Sequence, residues 1–76
     1  MPHVIVKLYP GRSQQQKQAL AAEITKAVMA TTNSAEASVS VGIEEVAPAD
    51  WKDQVWNPDI AAKPGTLFKK PGYQPG

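Results

Sequence analysis

A 76-residue chain without a single Cys has to hold itself together by apolar burial, and this one has little to bury. Only 21 of its apolar residues are larger than Ala: seven Val, four Ile, three Leu, two each of Met, Trp and Tyr, and one Phe. That supports one small domain and excludes two. A chain this short buries only about 60% of the surface its unfolded form exposes. Small domains are commonly stapled by disulfides or a structural zinc. The absence of Cys and a single His, His3, remove both options. Self-association is the remaining source of buried surface, so composition predicts a homo-oligomer.

Charge narrows the partners. Eight basic and seven acidic residues give a net +1, and no basic run is longer than Lys69-Lys70. A nucleic-acid binder of this size usually carries a basic stripe with interleaved aromatics. Nucleic acid is therefore not an expected partner. No apolar stretch approaches the ~20 residues of a membrane span. The N-terminus has no charged region followed by an apolar one, as a secretory signal would. A cytoplasmic protein with no membrane partner is expected.

The local patterns read as α+β. Pro2 to Tyr9 alternates as a strand, with Val4, Val6 and Leu8 on one face and His3, Ile5, Lys7 and Tyr9 on the other. Pro10-Gly11 ends it. Ser13-Gln14-Gln15-Gln16 has the form of a capping box, a Ser followed three residues later by Gln. The helix it opens carries Leu20, Ile24, Ala27, Val28 and Thr31 as one stripe, with Gln14, Lys17, Gln18 and Lys26 mostly away from it. Asn33 suits a left-handed stop. A second strand is expected from Ser38 to about Val46, with Val39, Val41 and Ile43 on one face and Ser40, Gly42 and Glu44 on the other.

A crossover this long joins parallel strands. Two strands and one helix leave an open edge and a bare sheet face, a second argument for self-association. Residues 47–76 are different, rich in Pro and holding both Trp. They read as a C-terminal arm packing on a neighbouring subunit. A helical turn is expected from Pro48 to Val55, Asn57-Pro58 as a helix start, and Thr66-Leu67-Phe68 as a short strand.

A conventional active site is missing. There is no Cys nucleophile and no Gly-rich phosphate loop, and His3 sits in a strand with no obvious Ser or Asp relay. A solitary strand His is more often exposed or hydrogen-bonded than catalytic. Glu44 and Glu45 point to opposite faces, so they cannot act as a pair. What remains is the chain start. A small residue at position 2 normally allows removal of Met1, which would bare a prolyl secondary amine. An α-amino group has a reference pKa of about 7.7–8.0. An apolar pocket or a nearby cation disfavours its charged form, so it can serve as a general base near neutrality. The bland alternative is that Pro2 is an ordinary second residue. Arg12, the only Arg, stands just before a helix start, where it and free backbone N–H groups suit a carboxylate. A solvated loop Arg is the alternative. Trp51 and Trp56 read first as packing residues.

Pro2 in a short strand, then Gly11-Arg12-Ser13 with Gln16-Lys17, then Ser38-Val39 opening a second strand, resembles the 4-oxalocrotonate tautomerase family. The match covers the strand–helix–strand segment, about 45 residues, in the family's order and spacing. The region with Trp51, Trp56 and Lys69-Lys70-Pro71-Gly72-Tyr73 resembles the dimeric bacterial tautomerases that include phenylpyruvate enol–keto tautomerases. The resemblance implies the β-α-β tautomerase (MIF-like) fold, with a four-stranded sheet completed by dimerisation and no cofactor. It also implies that Pro2, freed of Met1, moves a proton between oxygen and carbon of an enol.

By position, Arg12 would bind the substrate carboxylate and Trp51 would form an apolar wall. The better-known members carry another Arg where this chain has Ser40. A hydroxyl can bond a carbonyl but brings no charge, so enolate charge is stabilised less well. A dicarboxylate such as 2-hydroxymuconate is then a poor substrate, and a 2-keto monocarboxylate with an apolar or aromatic arm fits better. A homodimer is favoured over a hexamer, since the long arm could cap the surfaces through which shorter members trimerise their dimers. Two alternatives stand beside this reading. One is a hydratase or dehalogenase in which Pro2 activates water, with Glu44 or Asp50 orienting it. The other is a non-catalytic ligand-binding or assembly module.

Overall fold

The computed structural model describes residues 1–75. The chain divides into two compact units, Met1–Glu45 and a second beginning at Val46. In the first, strands β1 (His3–Leu8) and β2 (Ser40–Glu45) are joined through helix α1 (Gln14–Thr32). The strands pair in parallel, from His3 opposite Ser40 to Leu8 opposite Glu45. This is the expected β-α-β arrangement. Residues in register share a face, so Val4, Val6 and Leu8 lie with Val41, Ile43 and Glu45 on one side. His3, Ile5 and Lys7 lie with Ser40, Gly42 and Glu44 on the other.

Both ends of α1 are set by the residues that the sequence marks. Ser13 Oγ accepts from Gln16 N at 3.0 Å, and Ser13 N donates to Gln16 Oε1 at 2.8 Å, which closes the capping box. Asn33 ends the helix in the left-handed region at φ 56°. The stripe is shifted from the expected one. Leu20, Ile24 and Val28 are half-buried, but so are Lys17, Ala21, Thr25 and Met29, while Ala27 and Thr31 are exposed. The inward face is centred about a sixth of a turn from the one chosen by apolarity alone. The threonines on both faces satisfy their hydroxyls in the same way, Thr25, Thr31 and Thr32 donating to the carbonyls of Ala21, Ala27 and Val28.

β2 starts two residues later than the alternation predicts. Glu36–Ser38 form a 3-10 turn, in which Ser38 N and Val39 N donate to Ala35 O and Glu36 O. Those N–H groups are thus taken before the ladder begins.

The second unit differs more from expectation. A 3-10 turn at Pro48–Asp50 leads into a π-helical segment, Lys52–Ala61, and Pro58 lies inside that segment rather than at its start. An α-helical interior would lose one bond and clash with the carbonyl four residues back at such a proline. The wider winding, with bonds such as Ala62 N to Asn57 O at 3.1 Å, is the form in which this segment carries Pro58. Thr66-Leu67-Phe68 is not a strand. Pro64–Thr66 forms a 3-10 turn, as Pro64-Gly65 favours.

Among the described residues only Val46 and Val55 are buried hydrophobics, at 7% and 5% exposure, and α1 buries none. Phe68 is wholly exposed and Ile5 is half exposed. One copy of the chain leaves most of its larger apolar side chains partly in water.

Candidate active site

Pro2 sits immediately before β1 and is half-buried. Its carbonyl accepts a hydrogen bond from Ser40 N at 3.1 Å, which ties it to the first residue of β2. Next to this bond, His3 Nδ1 and Ser40 Oγ are 2.6 Å apart. The solitary histidine therefore does have a hydroxyl partner. The sequence hides it, because pairing depends on register, and β2 opens two residues beyond the expected start. Met1 is 99% exposed, so its side chain contributes nothing to packing. While Met1 is attached, the Pro2 nitrogen is an amide and not basic.

Arg12 is positioned at the other end of β1. Gly11, at φ 124°, turns the chain from Pro10 into the helix start through a conformation that a side chain would strain. Arg12 is exposed, and with Leu8, Gln16, Lys17 and Leu20 it lines a shallow depression of about 160 Å³. Pockets that enclose a whole small ligand are larger, about 300–1,000 Å³. This one suits a single charged group. Lys17 Nζ donates to Glu45 Oε2 at 3.3 Å and is committed there. Arg12 has no ion-pair partner among the described residues, so its guanidinium is the cation available to an incoming carboxylate.

Geometry separates the two. Six residues of β1 lie between Pro2 and the turn, at about 3.3 Å each, so Pro2 and Leu8 are roughly 20 Å apart. Arg12 follows that far end, beyond the turn at Gly11. The structure thus brings Pro2 and Ser40 together and leaves Arg12 at the far strand end.

Trp51 belongs to the second unit. It is half-buried, its backbone N–H donates to Pro48 O, and its Nε1 donates to Tyr73 Oη at 3.0 Å. Tyr73 also meets Trp56, with ring centroids 5.3 Å apart at 55°. Tyr73 thus organises both tryptophans, a role that nothing in their spacing announces. Lys17, Glu45 and His3 are the other residues that sequence reasoning passed over. Lys17 stands three and four positions before Leu20 and Ala21, a spacing that could have marked it as inward-facing.

Among the described residues no three of His, Asp and Glu gather closely enough to hold a metal ion. No described helix is long and apolar enough to cross a membrane.

Residues 2–54 match the family model described as tautomerase enzyme. Tautomerase PptA of Cronobacter sakazakii is 47% identical over 75 residues, covering 97% of this chain and 99% of that protein. The solved structure of TomN, a 4-oxalocrotonate tautomerase homologue in the tomaymycin biosynthetic pathway, is 31% identical. It superposes with a TM-score of 0.64 over 86% of this chain and 97% of that one. The structure of YwhB, a homologue of 4-oxalocrotonate tautomerase, is 40% identical with a TM-score of 0.61, over 62% of this chain and 77% of that one.

Proposed function

The chain belongs to the tautomerase family, and we propose that it is a cofactor-independent enol–keto tautomerase of 2-keto monocarboxylates such as phenylenolpyruvate. Membership of that family makes it an enzyme of the isomerase type. Pro2, once Met1 is removed, is the general base and then the general acid. Its neutral amine takes the proton from the enol hydroxyl, and the resulting ammonium returns a proton to C3 of the enolate, leaving the ketone. The amine ends each turnover as it began.

The observation that carries this reading is the junction of Pro2 and Ser40. The bond from Ser40 N to Pro2 O holds a hydroxyl next to the strand start from which the amine would act. A proton carrier and a neutral donor for the C2 oxygen thus share one strand end. Arg12 anchors the carboxylate, and since it lies beyond the end of β1 far from Pro2, we assign that Arg12 to a second copy of the chain. Trp51 supplies an apolar wall for the aryl or alkyl arm. The shortage of buried side chains supports a homodimer, with the arm from Ala47 onward packing on the neighbouring subunit in the cytoplasm. Ser40, where better-known members have Arg, supports monocarboxylates over dicarboxylates, because only Arg12 is an uncommitted guanidinium.

Phenylenolpyruvate ketonisation, followed by absorbance, tests this on two preparations whose intact masses show Met1 absent or retained. Activity is expected only in the Met1-free preparation. If neither preparation exceeds buffer, this substrate assignment fails. Equal activity in both removes Pro2 as the base.

A further inference from the structure

We propose that His3 is a positioning residue for this reaction, directing the Ser40 hydroxyl toward the C2 oxygen of the substrate. The inference rests on the Pro2-centred reading above and adds a residue to it.

The contact between His3 Nδ1 and Ser40 Oγ, at 2.6 Å, is built into the backbone. His3 stands opposite Ser40 in the parallel register, and the bond from Ser40 N to Pro2 O pins that pairing at its first rung. A serine has one side-chain rotor, with three staggered wells. Left alone, its hydroxyl would be shared among them and with water. The imidazole holds it in one. Both residues are exposed, so a substrate atom has access to the pair.

The pair fits the chemistry of the C2 oxygen in either tautomer. With the proton on Nδ1, the imidazole donates to Ser40 Oγ, and the hydroxyl hydrogen is free to donate to the oxygen on which enolate charge develops. With Nδ1 unprotonated, the hydroxyl donates to the ring, and Oγ can accept from the enol O–H. The proton moved from oxygen to C3 is carried by Pro2 alone, so His3 and Ser40 end each turnover unchanged. A donor already aligned with the developing charge lowers the barrier without reorganising during the reaction. In this chain that alignment stands where a cationic side chain is absent, so fixing the one available hydroxyl matters more. Because the gain is made in the transition state, it falls on kcat and leaves KM nearly unchanged.

The test compares His3→Phe, His3→Asn, Ser40→Ala, the His3→Phe/Ser40→Ala double variant and the unsubstituted chain with Met1 retained. The variants are Met1-processed, and each sample is checked for native circular dichroism and oligomeric mass. His3→Phe should lower kcat for phenylenolpyruvate roughly tenfold, less than the ~100-fold typical of deleting an oxyanion donor outright. His3→Asn keeps a polar atom near the Nδ1 position and should recover most of that loss. On the Ser40→Ala background, His3→Phe should cost nothing further, because the two act as one unit. An unchanged kcat in His3→Phe overturns the proposal. So does a full loss in His3→Asn, or an equal loss with and without Ser40. The Met1-retained chain separates the two levels: if it stays active, the Pro2 reading fails, whereas loss there beside an unaffected His3→Phe removes only the role of His3.

Discussion

Pro2 and Arg12 flank opposite ends of β1, a strand, His3–Leu8, that sets Pro2 roughly 20 Å from Leu8. That separation decides how a site using both can be built. If one substrate touches the Pro2 amine and the Arg12 guanidinium, the two come from different copies. Neither Met1-retained nor Arg12→Ala homodimers should then turn over substrate at low concentration. Mixed and allowed to exchange subunits, they should regain about a quarter of the wild-type activity. Half the dimers are mixed, and each mixed dimer contains one intact site. If every site lies within one copy, mixing restores nothing.

Arg12 should act mainly in binding. Its Ala variant loses a charge-assisted contact to the carboxylate, made equally in substrate and transition state. KM for phenylenolpyruvate should rise by about ten- to a hundredfold while kcat changes little. Steady-state kinetics reads the split, and an unchanged KM would remove the anchoring role.

The ion pair of Lys17 with Glu45 limits the positive charge of the same depression. Lys17 is 19% exposed and Glu45 40%, so the pair is partly screened and contributes little to stability, about 0–1 kcal/mol. Its effect on anions is easier to detect. Glu45→Gln removes the negative charge paired with Lys17 and releases the Lys17 ammonium, which lines the depression with Arg12. KM for a monocarboxylate should fall roughly two- to fivefold at low salt, the ratio supplied by ~0.5–1 kcal/mol. The gain should vanish at high ionic strength, where a ~3 Å screening length leaves little of the interaction.

The strand–helix–strand order was legible because each element carries its own local signal. Alternation marks β1, and both ends of α1 rest on side chains three residues apart or less. What failed was whatever depended on partners. The inward face of α1 includes Lys17, whose stem and ammonium are accommodated by Glu45 of another strand, and apolarity alone could not predict that. The start of β2 was set by a 3-10 turn that claims two N–H groups. Thr66-Leu67-Phe68 has strand-like residues but lies next to Pro64-Gly65, and the turn prevails. Of the site, Pro2 and Arg12 could be named from residue chemistry. The link from His3 to Ser40 needed the register, and the separation of Pro2 from Arg12 needed the strand length.

The capping box gives a direct stability prediction. Ser13 Oγ accepts from Gln16 N, and Gln16 Oε1 accepts from Ser13 N. Ser13→Ala removes the first bond and loosens the second. The loss should be about 1 kcal/mol, within the ~0.5–2 kcal/mol range for such caps. Denaturant unfolding should show a lower midpoint with an unchanged slope. A midpoint equal to wild type would mean that the helix start is held by packing instead.

Burial argues the last prediction. Val46 and Val55 are the only buried hydrophobics among the described residues, while Phe68 is wholly exposed and Ile5 half exposed. A folded state that buries so little in one copy is expected to draw its stability from association. For such a state, folding and assembly are one equilibrium, so stability depends on protomer concentration. The Tm should fall on dilution, and the loss of secondary structure should coincide with the loss of oligomeric mass. A Tm independent of concentration across dissociation would require a core within one copy that these residues do not form.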